Sequence, residues 1–271
     1  MASAGSLYLV PNLLTPGSSP EACMPAVALA RTRSLRRFIV EGEKAAWALL
    51  SRILDAAQAS EVVMERLDEH TSEAELPALL EPVCRGEDAG LVSEAGMPCV
   101  ADPGGALVAL AHDRGIRVVP LVGPSAIILA LAASGLEAQR FSFLGYLPQE
   151  PQARRSALAS LDRGIAMDGA TRIFIETPYR NARLLQDCLE RLSPATRLCV
   201  AVSLCSGEER IRSASVAGWR ETPWPLGKEP AIFLVGRRAP TGSASRPFGR
   251  GAKGGASGPA SGPASGGRTR P

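Results

Sequence analysis

Residues 93–105 read SEAGMPCVADPGG and combine glycines and prolines with two acidic residues and few large side chains. Glycine allows positive φ angles and a close approach of the backbone, whereas proline stiffens a turn. A loop of this composition can hold a flat ligand through its main-chain N–H and C=O groups. Recognition of this kind suits an adenosine or a methionine-like group.

Two further loops of similar composition also follow predicted strands. They read VPNLLTPG from residue 10 and LVGPSAIILALAASG from residue 121. One isolated loop of this kind is usually a plain surface turn. Three of them at the carboxyl ends of strands favour a shared ligand site, because parallel sheets bind their ligands at that edge.

Several other chemistries lack their sequence motifs. The chain has no GxxxxGK[ST] phosphate loop, no GxGxxG after its first strand and no GxSxG nucleophile motif. Its six cysteines form no CxxC pair, and its only histidines are His70 and His112. The sequence therefore predicts no metal site, favours free thiols over disulfides, and argues against nucleotide hydrolysis and serine hydrolase chemistry.

The elements that must position these loops alternate between strand and helix. Short aliphatic runs, LYLV, EVVM, AGLVS and IRVVPLV, begin at residues 7, 61, 89 and 116, with helical patterns between them. One such pattern, at residues 43–58, places Trp47, Leu50, Leu54 and Ala57 on one helical face. This alternation predicts an α/β fold with a mostly parallel sheet covered by helices.

The pattern changes after about residue 150. Strand candidates TRIFIE, RLCVAVSL, RIRSASVAG and AIFLVG now include three in succession without a helix between them, which predicts a mixed sheet. We therefore predict an N-terminal α/β domain over residues 1–145 and a C-terminal α/β domain over residues 146–236. The cleft between two domains is the expected place for a ligand.

Residues 237–271 differ from the rest of the chain. They carry seven basic and no acidic residues and contain the repetitive stretch ASGPASGPASGG, so we predict a disordered tail. Such a tail either improves solubility or tethers the protein weakly to RNA. The remaining residues hold 23 basic and 27 acidic side chains, so the folded part is mildly acidic.

The overall composition is that of an ordinary globular protein. The 271 residues are 45% hydrophobic and 21% charged. No apolar run reaches the roughly 18 to 20 residues of a membrane helix, and no signal-peptide pattern is visible. We therefore expect a cytoplasmic protein with no membrane partner.

A resemblance to a known family emerges when the segments are taken in order. These segments are LYLVPN, FIVE, DEH, SEAGMPCVADPGG, VVPLVGPSAIILALAASGL, FSFLGYLP, IFIETPYRN and PAIFLVG. Together they resemble the tetrapyrrole methylase superfamily, the class III S-adenosylmethionine-dependent methyltransferases, and most of all its small-subunit ribosomal RNA 2'-O-ribose (cytidine) methyltransferases. The chain departs from that branch in two loops, with PNLLTPG in place of a PTPIGNL-like sequence and SEAGMP in place of SDAGTP.

The resemblance implies that S-adenosylmethionine lies between the two domains and is held largely by main-chain atoms. The positions that match the family's binding loops are Pro11, Ala95, Gly96, Met97, Val100, Ser125, Ala126, Glu176, Pro230 and Ala231. Simpler alternatives stay open for two of them. Gly96 also suits a plain turn, and Ser125 also suits a helix N-cap.

The resemblance also implies a general base for a weakly acidic ribose hydroxyl. Glu94 and Asp102 flank the second loop and are the nearest carboxylate candidates. Asp102 alternatively caps the helix that follows it, since it precedes the helical stretch PGGALVALA.

The partners that the resemblance implies are small-subunit rRNA or the ribosomal subunit and a second copy of the chain. The arginine-rich run RTRSLRR at residues 31–37, with QARR and ETPYRNAR further on, supplies candidate phosphate contacts or, alternatively, solvated faces. Two other functions stay open. One is C-methylation of a tetrapyrrole, and the other is a cofactor-binding module without catalysis.

Overall fold

A computed structural model describes residues 4–222 and 224–240 of the chain. These residues contain two five-stranded sheets, one formed by the first half of the chain and one by the second. Most of the predicted tail, from residue 241 onward, lies outside the described residues. The backbone of Arg237 accepts a hydrogen bond from Glu137, and the N–H of Ala239 donates to Gly135, so the chain stays paired for a short way beyond the last strand.

The first sheet is parallel throughout, as the strand–helix alternation predicts. Its strands are β1 (Ser6–Val10), β2 (Arg37–Val40), β3 (Val63–Arg66), β4 (Ala89–Val92) and β5 (Arg117–Pro120). They are arranged in the order β3-β2-β4-β1-β5, and every neighbouring pair is parallel. Parallel order brings the carboxyl ends of all five strands to one edge of the sheet.

Helices cover both faces of the first sheet. They are α1 (Pro20–Cys23), α2 (Ala26–Ser34), α3 (Glu43–Ile53), α4 (Ala56–Ser60), α5 (Leu76–Cys84) and α6 (Gly105–Asp113). Alternate strand residues enter separate cores, with Leu7 and Ile39 packed on one face and Val10 and Phe38 on the other. This alternation follows from the two-residue period of a strand.

The helix predicted over residues 43–58 is divided in two. It stops at Ile53, and Asp55 begins α4 with a capping box in which its side chain accepts a hydrogen bond from the Gln58 N–H. The predicted face is buried only in part, because Leu50 and Leu54 are buried while Trp47 and Ala57 are exposed. The aspartate ends the periodicity because its side chain competes for backbone N–H groups.

The second sheet is mixed, as the succession of strands predicts. Its strands are β6 (Phe141–Tyr146), β7 (Thr171–Ile175), β8 (Arg197–Val202), β9 (Arg210–Ser215) and β10 (Ala231–Gly236). The order is β6-β7-β10-β8-β9, with β6 and β7 parallel and the other pairs antiparallel. Among the described residues, β6 pairs within this sheet, so the change of sheet lies between Pro120 and Phe141, ahead of the predicted division at residue 145.

Four helices accompany the second sheet. They are α7 (Ala126–Ser134), α8 (Pro151–Asp168), α9 (Asn181–Arg191) and α10 (Val216–Glu221), with a short 3-10 helix at Pro178–Arg180. Although α7 directly follows the first sheet, its Ala130 and Leu131 pack against Ile232 and Leu234 of β10. The start of α7 therefore lies where the two sheets approach each other.

Candidate functional site

A cavity of about 520 Å³ opens where the two sheets meet. Small-molecule sites typically enclose about 300 to 1,000 Å³. The first sheet contributes the loops after β1, β2, β3, β4 and β5, all at the carboxyl edge. The second sheet contributes the ends of β7 and β8 and the start of β10, which share one edge because Ile232 pairs with Ile175 and Ala231 pairs with Val202.

The structure brings eleven of the twelve sequence-predicted site residues together around this cavity. They are Glu94, Ala95, Gly96, Met97, Val100, Asp102, Ser125, Ala126, Glu176, Pro230 and Ala231. Seven of these eleven residues are glycine or have apolar side chains, which suits a ligand held by backbone groups. The three glycine- and proline-rich loops thus do lie on one side of the molecule.

Pro11 lies behind the cavity wall. It is buried and packs against the third loop, where a Cβ added to Gly123 would lie only 2.3 Å from the Pro11 Cβ. Only glycine permits this approach. Pro11 therefore joins the first and third loops, and it does not line the cavity.

The second loop, residues 93–104, has an unusual backbone. Gly96 has a φ angle of +73°, and the non-glycine residues Cys99 and Ala101 have φ angles of +67° and +70°. Left-handed conformations of non-glycine residues cost free energy and cluster at functional sites. On the opposite side of the cavity, Ser203 and Cys205 also have positive φ angles, and Leu204 between them lines the cavity.

Asn12 fastens the first loop to the second. Its backbone exchanges two hydrogen bonds with Gly96, at 2.8 and 3.1 Å. Its side-chain amide donates to the carbonyls of Ser93 (2.9 Å) and Glu94 (3.1 Å), and its Oδ1 accepts from the Leu13 N–H. Sequence reasoning missed this residue, because an asparagine in a polar loop carries no signal of such a role.

Asp102 is the most perturbed acid of the cavity. Burial and the negative charge of Glu41 raise the pKa of the Asp102 carboxyl to about 6, against the partial opposition of the Ser93 hydroxyl, and Glu94 adds to the increase. Its Oδ2 is buried and accepts no hydrogen bond from a described residue. The alternative that Asp102 caps a helix is wrong, because α6 begins at Gly105 and Gly104 occupies the cap position.

Four carboxyl groups define what we call the acidic wall: Glu41, Glu69, Glu94 and Asp102. All four lie in loops of the first sheet, after β2, β3 and β4. Glu41 also accepts a hydrogen bond from the Glu94 N–H at 3.0 Å, which links the second strand to the second loop. The wall attracts a cationic group and repels an anionic one.

Ser125 occupies the N-cap of α7, as one of its alternatives predicts, but its side chain makes no capping hydrogen bond. Among the described residues, its hydroxyl thus caps no N–H group, and the first N–H groups of the helix, which have no partner within the helix, can face a ligand.

Glu176 is buried on the second-sheet side of the cavity. Its Oε1 accepts from the Thr177 N–H at 2.7 Å and from Arg180 Nε at 2.8 Å. The Arg180 Nη2 lies 2.7 Å from the same oxygen. All these contacts fall on one oxygen, so Oε2 remains without a hydrogen bond from the described part of the chain.

The arginine-rich runs are engaged in structural contacts. Within residues 31–37, Arg36 pairs with Glu61 at 2.6 Å, and Arg37 pairs with Glu65 and Glu87 at 2.7 and 3.1 Å. The other candidates are also paired, since Arg154, Arg155 and Arg183 approach Asp187 and Arg180 approaches Glu176. These side chains hold the fold together, and their charges are largely compensated.

Residues 4–222 and 224–240 contain neither a metal-binding cluster nor a membrane-spanning helix. No group of three or more histidine, cysteine, aspartate or glutamate side chains is placed to hold a metal ion within these residues. Among the helices they form, none is both long and apolar enough to span a membrane.

Known proteins resemble this chain in sequence and in fold. Among curated proteins, the chain is 38% identical over 151 residues to "Ribosomal RNA small subunit methyltransferase I" of Vibrio cholerae, covering 56% of this chain and 51% of that one. It is 35% identical over 183 residues to the protein of the same name from Pseudomonas aeruginosa, covering 65% and 63%. The chain thus spans about half to just under two thirds of the length of these relatives.

Solved structures share the fold at low sequence identity. The methyltransferase CobJ superimposes with a TM-score of 0.56 at 17% identity, covering 86% of this chain and 95% of that one. The uroporphyrin-III-C-methyltransferase of Thermus thermophilus superimposes with a TM-score of 0.52 at 19% identity, covering 86% and 94%.

The family itself follows from a match along the sequence. Residues 28–217 fit the sequence profile of the family described as Tetrapyrrole (Corrin/Porphyrin) Methylases. Because this match covers well over half of the chain, the protein belongs to the tetrapyrrole methylase family.

Proposed function

We propose that the protein is an S-adenosylmethionine-dependent methyltransferase that methylates the 2'-hydroxyl of a ribose in small-subunit rRNA. The observation that carries the proposal is the cavity itself, where three glycine- and proline-rich loops of the first sheet face the second sheet. The names of the curated relatives, Ribosomal RNA small subunit methyltransferase I, support the acceptor.

The residues present fit S-adenosylmethionine in two respects. Gly96 has a φ angle of +73°, and a Cβ there would lie 3.2 Å from Leu14 Cδ2 and 3.6 Å from the Pro124 carbonyl oxygen, so glycine lets the three loops meet at the cavity. The acidic wall also favours a cationic ligand. We assign nine lining residues to cofactor binding: Ala95, Gly96, Met97, Val100, Ser125, Ala126, Glu176, Pro230 and Ala231. Pro11 packs against the third loop and helps to position it.

S-adenosylmethionine supplies an electrophilic methyl group on a positively charged sulfur. The protein's part is to orient the acceptor hydroxyl and to take up its proton. We propose that Asp102 takes up the proton of the acceptor hydroxyl, because its half-buried carboxyl has an unpartnered oxygen and a pKa raised to about 6. A base with a pKa near the working pH is the most effective proton acceptor. Glu94, which is exposed at the same wall, is the second candidate.

A second copy of the chain is the other partner that we propose. The helix α7 exposes Ile128 and Leu129, and the edge strand β6 exposes Phe141 and Leu144. Exposed apolar side chains and an unpaired strand edge are features of association surfaces. A homodimer that uses this surface would be tested by light scattering of the Ile128→Glu variant, which should shift the protein toward monomer.

The site of action that we propose is the cytoplasm, since an enzyme with a ribosomal acceptor meets its substrate there. The same assignment predicts that the protein cosediments with small ribosomal subunits at low salt.

Tetrapyrrole C-methylation is the alternative within the same family. The acidic wall disfavours it, because four carboxyl groups would face a substrate that itself carries several carboxylates. A neutral ribose hydroxyl meets no such repulsion, provided that its flanking phosphates point away from the wall.

One experiment separates these functions. Wild-type protein is incubated with methyl-labelled S-adenosylmethionine and, in separate reactions, with small ribosomal subunits from cells that lack this gene or with a tetrapyrrole precursor. The proposal predicts label in the RNA, at a ribose. Label in a tetrapyrrole precursor and none in RNA would establish the alternative, and cofactor binding without any transfer would indicate a module that has lost catalysis.

A further inference from the structure

The second-sheet side of the cavity mouth carries an exposed aromatic ring next to a lysine. The Nζ atom of Lys228 lies 4.9 Å from the centre of the Tyr179 ring. Tyr179 is 79% exposed, and Lys228 is exposed as well. A ring this exposed beside a lysine presents an accessible aromatic surface to a ligand.

This pair lies beside the cavity. Pro178, which precedes Tyr179, lines the cavity, and so does Pro230, two residues after Lys228. The segment with Tyr179 follows β7, and the segment with Lys228 leads into β10, so both lie at the opening of the cavity. We call Tyr179 and Lys228 together the mouth pair.

The segments that carry the mouth pair are fastened to each other. The fully buried Asn181 donates from Nδ2 to the Glu229 carbonyl at 2.8 Å, which ties the start of α9 to the residue after Lys228. Arg210 pairs with Glu229 at 3.0 Å, and the Ser203 N–H donates to the Pro230 carbonyl at 3.0 Å. The backbone under both side chains is therefore preorganised, which lowers the entropic cost of binding.

The charge of Lys228 is uncompensated among the described residues. It forms no ion pair with them, whereas the arginines of the RTRSLRR, QARR and ETPYRNAR segments are engaged with carboxylates or carbonyls. The acidic wall lies in the loops of the other sheet. An acceptor that enters the cavity thus meets the acidic wall of the first sheet and, from the second, an aromatic ring with an ammonium group that has no carboxylate partner among the described residues.

We propose that the mouth pair binds the RNA acceptor, with one base stacked on the Tyr179 ring and one backbone phosphate paired with Lys228. Every nucleic-acid base has a π-face that stacks on an aromatic side chain, and phosphates pair with lysine in a salt-dependent way. This arrangement holds the phosphates on the side away from the acidic wall and turns the ribose toward Asp102. The inference rests on the proposed function and identifies the residues that would recognise its acceptor.

The test compares four variants with the wild-type protein in filter binding to isolated small ribosomal subunits at two salt concentrations. Tyr179→Ala should weaken binding about tenfold, and Tyr179→Phe should restore it, since stacking needs the ring alone. Lys228→Gln should weaken binding at low salt. It should also reduce the slope of log affinity against log salt concentration by the amount expected for about one phosphate contact. Met167→Ala, at another exposed apolar side chain that does not line the cavity, is the matched control and should bind like wild type.

The affinity for S-adenosylmethionine is measured in parallel and should be unchanged in all four variants. Subunit binding that Tyr179→Ala and Lys228→Gln both retain would overturn the mouth pair while leaving the proposed function intact. An equal loss of cofactor affinity in Tyr179→Ala would also overturn it, since the ring would then act structurally. A wild-type protein without affinity for the subunit would overturn both the mouth pair and the rRNA acceptor.

Discussion

Two acidic side chains, Asp187 on α9 and Asp102 at the cavity, show how differently the two regions of the molecule treat the same group. Burial alone would raise the pKa of Asp187, but hydrogen bonds from Arg154 and Arg155 outweigh it and hold the pKa below its usual range. Asp102 has no arginine partner among the described residues, and burial together with Glu41 raises its pKa to about 6.

The difference separates structural from chemical use of a carboxylate. Asp187 is completely buried and joins α8 to α9 through Arg154, whose Nη2 lies 2.6 Å from Oδ2. Its proton affinity is low, so it is a fixed charge. Asp102 has a free oxygen at a ligand cavity and a proton affinity that suits exchange near neutral pH. We propose that the raised pKa of Asp102 beside the cavity marks it as a site residue, in contrast to Asp187.

The largest expected effect is on the chemical step. Asp102→Asn should lower the methyl-transfer rate by roughly 10² to 10⁴, because the amide cannot take up the hydroxyl proton. The rate is measured with labelled cofactor at saturating subunit concentration. A rate within threefold of wild type would remove Asp102 from the chemistry and leave Glu94→Gln as the next variant to test.

The melting temperature of Asp102→Asn shows whether this variant is correctly folded. A carboxyl whose folded pKa exceeds its unfolded value destabilises the folded protein as pH rises from about 4 to about 6, and the penalty is complete above that range. Asp102→Asn should thus melt at the same or a higher temperature than wild type at pH 7.5. Loss of the rate together with a lower melting temperature would point to misfolding.

The next effect is on stability. Asp187→Ala leaves Arg154 as an uncompensated buried charge, which should cost about 3–5 kcal/mol in the free energy of unfolding measured with urea. The matched control is Glu81→Ala, which removes the exposed pair of Glu81 with Arg85 and should cost far less. Equal losses in both variants would mean that Asp187 is no more important than a surface acid.

A smaller effect is expected from the residue that fastens the loops. Asn12→Ala removes side-chain hydrogen bonds to Ser93, Glu94 and Leu13, which should cost about 1–3 kcal/mol in stability. Cofactor affinity, measured by calorimetry, should fall with it because the second loop loses its support. Asn12→Asp keeps the acceptor oxygen but loses the donor, so it should bind the cofactor no better than Asn12→Ala.

The pH dependence of kcat/KM gives a further test of the role of Asp102. If Asp102 is the base, kcat/KM should fall about tenfold per pH unit below pH 6 and level off above it. Glu41→Gln removes a neighbouring negative charge, so the inflection should move to lower pH. A flat profile between pH 5 and 7, or an inflection that Glu41→Gln leaves in place, would contradict the assignment.

Local patterns predicted most of the fold because they carry their own physical cause. The aliphatic runs became strands of a parallel and a mixed sheet, and the three loops gathered at one edge because parallel strands end together. The prediction of one helix over residues 43–58 was wrong, because Asp55 caps a new helix and hydrophobic spacing does not reveal a cap.

The properties of the site depend on contacts between distant segments, and these could not be read from the sequence. The raised pKa of Asp102 requires Glu41 from another strand, and the role of Asn12 appears only when its loop meets the second one. The arginine-rich run looked available for phosphates, but Glu61, Glu65 and Glu87 reach Arg36 and Arg37 through neighbouring elements.

The most direct test of the account is calorimetric titration of S-adenosylmethionine into wild-type protein, Ala95→Trp and Met167→Trp. Ala95 and Met167 are both exposed, but only Ala95 lines the cavity. We expect one cofactor bound per chain in the wild type and in Met167→Trp, and a loss of binding in Ala95→Trp, whose indole would obstruct the cavity. Absence of binding in the wild type, or undiminished binding in Ala95→Trp, would contradict the claim that the cavity between the sheets is the methyl-donor site.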